Sequence, residues 1–128
     1  MSLTNAQYNS IMKDYEQTRD RNRHLAEQRR REVYTKLPEY GRLDESVGEL
    51  SVAQAKLLLN GDDEALTRLR FSLKDISRRK KDLLVSAGYP SDYLEPVYTC
   101  LDCKDTGYIE GDNGLRKKCH CFHQQELD

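Results

Sequence analysis

All four cysteines of this 128-residue chain lie between Cys100 and Cys121, as a C-x-x-C (Cys100, Cys103) and a C-x-C (Cys119, Cys121). The stretch between the two pairs holds Gly107, Gly111 and Gly114. Its turn sequence, Gly111-Asp112-Asn113-Gly114, separates two short segments with strand character, 107–110 and 115–118. This layout predicts a β-hairpin. If the hairpin closes at 111–114, its open ends bring Cys103 and Cys119 together, and all four sulfurs converge on one point.

Such a point suits a metal. Zinc takes four thiolates tetrahedrally at roughly 2.3 Å, and a C-x-x-C followed about 15–20 residues later by a second pair is the usual spacing of a structural site, although the second pair here is one residue tighter than the common form. Two disulfides would need an oxidising compartment, and the Met-Ser-Leu start carries no signal-peptide h-region. A redox C-x-x-C would need a strand-to-helix context near a βαβ pattern, which is missing. Four unrelated buried thiols would need an apolar setting the stretch does not offer. The expected ligands are Cys100, Cys103, Cys119 and Cys121, with zinc as the cofactor. His120 and His123 stand beside the second pair as competing imidazole ligands: His120 is expected to point away from the metal, while His123 could replace Cys121 if the C-x-C cannot reach tetrahedral angles.

The rest of the chain is poor in core material. Hydrophobic residues make up 37% and charged residues 34%, there is no Trp, and the mean hydropathy is −0.89. This disfavours one large globular core and favours an elongated helical shape. No apolar run approaches the roughly 18 residues needed to cross a bilayer, so no membrane partner and a cytoplasmic location are expected. The net charge of −1 hides alternating blocks: +3 over residues 1–36, −5 over 37–66, +5 over 67–87 and −4 over 88–128. Opposite charge on successive helices suits antiparallel neighbours, at a few tenths of a kcal/mol per exposed pair. The basic runs Arg29-Arg30-Arg31 and Arg78-Arg79-Lys80-Lys81 lack the interleaved aromatics that base stacking would use.

From Thr4 to about Lys36 there is neither Gly nor Pro, which predicts one long helix. Its apolar stripe runs through Tyr8, Ile11, Met12, Tyr15, Leu25, Ala26, Val33 and Leu37, but Thr18, Asn22 and Arg29 occupy intervening stripe positions, so the helix needs a partner. Leu37-Pro38 should break it and place Pro38 in the first turn of a second helix. Gly41 and Gly48 weaken the start of that helix, so its firm portion is expected at 51–59. Asn60-Gly61 caps it, and Asp62-Asp63-Glu64 opens a third helix. The third stripe is Leu66, Leu69, Leu73, Ile76, Leu83 and Ala87, interrupted only by Lys80. Gly88-Tyr89-Pro90 then stops the helix.

The expected fold is therefore mostly α: an elongated antiparallel helical hairpin or three-helix, coiled-coil-like bundle followed by a small zinc-ribbon-like β-hairpin. The expected divisions are a helical domain over 1–90, a connector over 91–97, a zinc-binding hairpin over 98–123, and a tail or linker start over 124–128. No phosphate loop, dinucleotide fingerprint, nucleophile elbow or H-E-x-x-H occurs. A site filled by four thiolates also leaves no open position for water or substrate, so the chain is not expected to be an enzyme.

The run from Gly88-Tyr89-Pro90 through Cys100-Leu101-Asp102-Cys103-Lys104-Asp105-Thr106-Gly107-Tyr108, then Lys117-Lys118-Cys119-His120-Cys121, resembles the N-terminal region of DnaC/DnaI-like replicative helicase loaders. The segment Ala55-Lys56-Leu57-Leu58-Leu59-Asn60-Gly61-Asp62-Asp63-Glu64-Ala65-Leu66 is similar to the same family, so the resemblance covers most of the chain. It implies a helicase-binding, zinc-containing region of the kind that precedes an AAA+ ATPase domain. The 128 residues carry no ATPase motif and look like the front half alone, either cut at a domain boundary or standing as its own module. The implied role is a non-catalytic adaptor for DNA replication that binds a DnaB-like replicative helicase, with single-stranded DNA as a further possible partner. The other reading is a nucleic-acid-binding zinc ribbon with a helical oligomerisation segment, making a homo-oligomer, in which Arg116, Lys117 and Lys118 meet phosphates beside Tyr108 and Phe122.

Overall fold

The computed structural model describes residues 3–127. Helix α1 spans Asn5–Lys36, α2 Pro38–Leu59 and α3 Ala65–Ser86, followed by strands β1 (Tyr108–Glu110) and β2 (Arg116–Lys118) and a last helix, α4 (His120–Leu127). The protein is thus mostly helical, with one small antiparallel β-hairpin near its C-terminal end. No described helix is long and apolar enough to cross a membrane.

The contacts gather into two compact units, residues 28–95 on one hand and residues 1–27 with 96–128 on the other. This departs from a helical domain over 1–90 joined by a connector to a separate hairpin. The front of α1 spends its apolar stripe on the cysteine region, and only its last turns take part in the helical unit. The physical reason lies in α1 itself: the polar positions in its middle separate two apolar patches, and each patch has a different partner.

In the unit of residues 28–95, Val33, Tyr40 and Leu84 are buried together, with Tyr34, Leu37, Leu83, Tyr89, Tyr93 and Leu94 packed around them. Leu37 has φ −126°, outside helical geometry, and Pro38 occupies the first turn of α2, as the steric clash ahead of a proline requires. The second helix runs unbroken from Pro38, through Gly41 and Gly48, and does not wait for Ser51; packing of Tyr40 against Val33 and Tyr34 outweighs the low helix propensity of two glycines.

The α2–α3 hairpin is antiparallel, as its cross-pairs show. Arg68 donates to Gln54 near the turn, and Lys80 pairs with Asp44 further along. Both helices end in the same way. Gly61 N–H bonds Leu58 O at 3.1 Å and Asp62 N–H bonds Leu57 O at 3.0 Å; after α3, Gly88 N–H bonds Val85 O at 3.0 Å and Tyr89 N–H bonds Leu84 O at 2.9 Å. These are Schellman pairs around left-handed glycines, φ +94° and +90°. The second of them turns Tyr89 back toward Leu84 and so into the core. The expected stripe of α3 is shifted at both ends, since Ala65 and Leu84 are buried whereas Leu66 is exposed. Lys80, the interruption, is only partly exposed; it pairs with Asp44 and lies over the Tyr40 ring at 5.2 Å.

Tyr93 and Leu94 pack on this core, so the segment after Pro90 is tied down and is not a free connector. Tyr93 donates to Glu32 at 2.8 Å and Tyr89 to the same carboxylate at 3.3 Å, while the two rings pack tilted with centroids 4.7 Å apart. Hydrogen bonds, first from Tyr93 and then from Lys36, hold Glu32 below the usual carboxylate range.

In the other unit, α1 begins with a capping box. Gln7 N–H bonds Thr4 Oγ1 at 3.1 Å, and Thr4 N–H bonds Gln7 Oε1 at 2.9 Å. The helix then lays Ile11 and Tyr15 against Cys103, Cys119 and Phe122. In the hairpin Tyr108 opposes Lys118, Ile109 opposes Lys117 and Glu110 opposes Arg116. Gly111 N–H to Leu115 O, 2.7 Å, closes the turn at the expected place, and Cys119 N–H to Gly107 O, 2.9 Å, extends the pairing toward the cysteines. Residues 124–127 are not a tail: α4 continues to Leu127, and its Phe122 is fully buried. Asp128 lies outside the described residues.

Candidate metal centre

Three local structures deliver the thiols. Cys100 and Cys103 sit on a tight loop in which Lys104 N–H bonds Cys100 O at 2.9 Å and Thr106 N–H bonds Cys103 O at 3.2 Å. To close, that loop puts Lys104 and Asp105 at φ +55° and +61°, a left-handed region that non-glycine residues enter only when their surroundings hold them there. Cys119 follows β2, and Cys121 lies in the first turn of α4. The loop and the hairpin meet at Gly107, φ +86°, where a Cβ would stand 2.8 Å from Tyr15 Cε2 and 3.1 Å from Phe122 Cδ2. Only glycine fits between these rings.

The four sulfurs lie within 4.8 Å of one another. Cys100 and Cys119 are 3.7 Å apart and Cys103 and Cys121 3.6 Å, and none is in a disulfide. Four thiolates around one ion at roughly 2.3 Å would have tetrahedral edges of about 3.8 Å, so the donor set fits a metal ion of zinc's size. Cys103 and Cys119 are buried, whereas Cys100 and Cys121 are partly exposed.

The electrostatics of the four differ. Backbone N–H groups of Cys103 and then Asp102 point at the Cys100 sulfur and draw its thiol down to about 7. Burial is the main effect on the other side, pushing Cys121 up to about 12 and raising Cys119. The Tyr15 hydroxyl lies 2.8 Å from Cys121 Sγ. Burial, and then this bond, raises the Tyr15 pKa. A cation would replace the protons on the buried thiols and remove most of the penalty for ionising them.

Beneath the Cys100 loop sits a buried carboxylate. Asp105, 2% exposed, accepts from Cys100 N–H at 2.8 Å, Thr99 N–H at 3.0 Å and Asn22 Nδ2 at 3.0 Å, while Arg19 donates to its backbone carbonyl at 2.7 Å. Asn22 also bonds Thr99 Oγ1. The polar seam of α1 at Asn22 is thereby explained: a side-chain amide at a stripe position holds the Cys100–Asp105 loop. That misplaced polarity was the one sequence signal for it. Asp105, Tyr15 and Phe122 gave no comparable signal, because each acts through a contact with a distant part of the chain.

His123 lies away from the thiols and pairs with Glu126, Nδ1 to Oε1 3.6 Å. His120 points outward but stays close, 2.8 Å from Asp102 Oδ2 and 3.9 Å from Cys100 Sγ. Two of the three basic residues of β2 are engaged within the unit. Arg116 lies over the Tyr108 ring at 4.6 Å, and Lys118 over Phe122 at 4.8 Å while pairing with Glu126 at 3.0 Å. Phe122, wholly buried, offers no face for a nucleic-acid base. No family model, curated protein or solved structure matches the chain.

Proposed function

We propose that this chain is a non-catalytic adaptor region of a helicase loader, which binds a DnaB-like replicative helicase through its helical unit and carries a structural zinc ion on Cys100, Cys103, Cys119 and Cys121. The zinc reading rests on the donor set, since soft thiolates at tetrahedral spacing favour zinc over hard cations. Four free thiols suit a reducing, cytoplasmic setting. The loader reading rests on the resemblance of residues 55–66, 88–108 and 117–121.

One observation carries the adaptor role. The α2–α3 hairpin leaves large apolar side chains in solvent: Val52 57% exposed, Leu59 86%, Phe71 71% and Val85 59%. On α2, Val52 lies with Gly48, Ala53 and Leu57 on an open surface edged by Glu49 and Lys56, and Leu59 follows seven residues on from Val52 at the same helical angle. Such a surface is what a docking helix pair presents to a partner.

Size-exclusion chromatography with light scattering, on the chain alone and mixed with a hexameric replicative helicase at low salt, tests the reading. A complex is expected, and Leu59→Asp should weaken it by roughly tenfold or more, as loss of an interface anchor does. Failure to form any complex overturns the loader assignment. A homo-oligomer of the chain alone whose apolar face is covered by its own copy would overturn it too.

A further inference from the structure

The outward His120 is not needed by a site made of four thiolates, yet it sits in a second donor set. Cys100, Asp102, Cys119 and His120 also have their ligand atoms within 4.8 Å of one another. Two of these four, Cys100 and Cys119, are shared with the inner set. We infer that the cysteine centre is built to hold two divalent cations, an inner one on the four thiolates and an outer one on Asp102 and His120, with the sulfurs of Cys100 and Cys119 bridging the pair. The inference rests on the metal reading of the inner site.

The chemistry supports sharing. A thiolate that binds one ion keeps further lone pairs on sulfur, and a tetrahedral shell for the second ion then needs only two more ligands. An imidazole and a carboxylate supply them. Both stand ready: Asp102 and His120 are exposed, with His120 Nε2 2.8 Å from Asp102 Oδ2 and 3.9 Å from Cys100 Sγ. Cys119 is the one buried member of the outer set, so the second ion enters over the other three.

Electrostatics adds a driving force. Four thiolates around one divalent cation leave a net double negative charge. Beside it lie the carboxylate of Asp102 and that of buried Asp105, whose bond to Cys100 N–H ties it to the same loop. A second cation at the exposed rim meets concentrated negative charge with less water between than at an open surface. Sulfur in the shell selects borderline and soft ions, zinc first among the common ones, over calcium or magnesium.

Equilibrium dialysis of the full chain against buffered free zinc under reducing conditions, followed by elemental analysis, reads both sites separately. The wild type should hold one zinc per chain at low free zinc and rise to two as free zinc increases. The Asp102→Asn/His120→Ala double variant should keep the first ion and level off at one. A wild type that stops at one zinc overturns the outer site and leaves the inner one standing, with His120 then a hydrogen-bond partner of Cys100. A double variant that still reaches two also overturns it. A wild type with no zinc at any concentration is the failure of the inner metal site itself.

Discussion

Asp105 and Gly107 show how closely the cysteine loop depends on single residues. Asp105→Ala would leave the partly buried N–H groups of Thr99 and Cys100 and the amide of Asn22 without their acceptor. Stranded buried donors cost about 1–3 kcal/mol each, so a loss of about 3 kcal/mol or more is expected in chemical denaturation of this unit, with zinc released earlier in a chelator titration. Gly107→Ala meets two penalties at once: a positive φ and a Cβ 2.8 Å from the Tyr15 ring. About 2 kcal/mol or more should be lost, read by the same denaturation. Tyr15→Phe is the milder change, because it keeps the ring in the core and removes only the hydroxyl beside Cys121. Zinc affinity measured against a chelator should fall by roughly 10–100-fold, as it does when a partner of a metal ligand is deleted; unchanged affinity would show that the hydroxyl does not act on the sulfur.

At the scale of elements, the front of α1 answers to the cysteine region it packs on. Residues 98–121 alone would be too polar to order themselves, and a metal bound to the four thiols would supply on the order of 10 kcal/mol to the region. Because Ile11 and Tyr15 pack on Cys103, Cys119 and Phe122, Cys119→Ser should free more than the hairpin. Hydrogen exchange is expected to show lost protection over residues 5–27 as well as 98–127, while residues 28–95 stay protected. Retained protection over 5–27 would mean that this part of α1 does not need the metal. The last turns of α1 carry a pH dependence of their own. Glu32 is held below its ordinary pKa by Tyr93, Lys36 and Tyr89, so the folded state favours its charged form. Its contribution is present above the unfolded value of about 4.3 and is lost as pH falls through the lower folded value. The Glu32→Gln variant should therefore show a flatter fall of urea midpoint than wild type when pH is lowered through that window; parallel curves would remove Glu32 from the account.

For the whole molecule, elemental analysis of protein purified without chelators should find at least one zinc per chain, and a metal-free wild type would end the metal reading. The chain's own residues made much of this architecture legible. Helix limits at Lys36, Leu59 and Ser86 follow from a missing N–H, a clash before Pro38 and left-handed glycines, all of which act within a few residues. The hairpin was readable for the same reason, since the turn at Gly111 to Gly114 is a local signal and its closure draws the two cysteine pairs toward one another. Tertiary structure decided the rest. Periodicity states that α1 has apolar patches but not what covers them, so the covering of Tyr15 by Phe122, the bond from Asn22 to Asp105 and the docking of Tyr93 on Glu32 were beyond reach. Each joins residues more than 60 positions apart, where no local preference acts and only the geometry of the folded chain selects the partner.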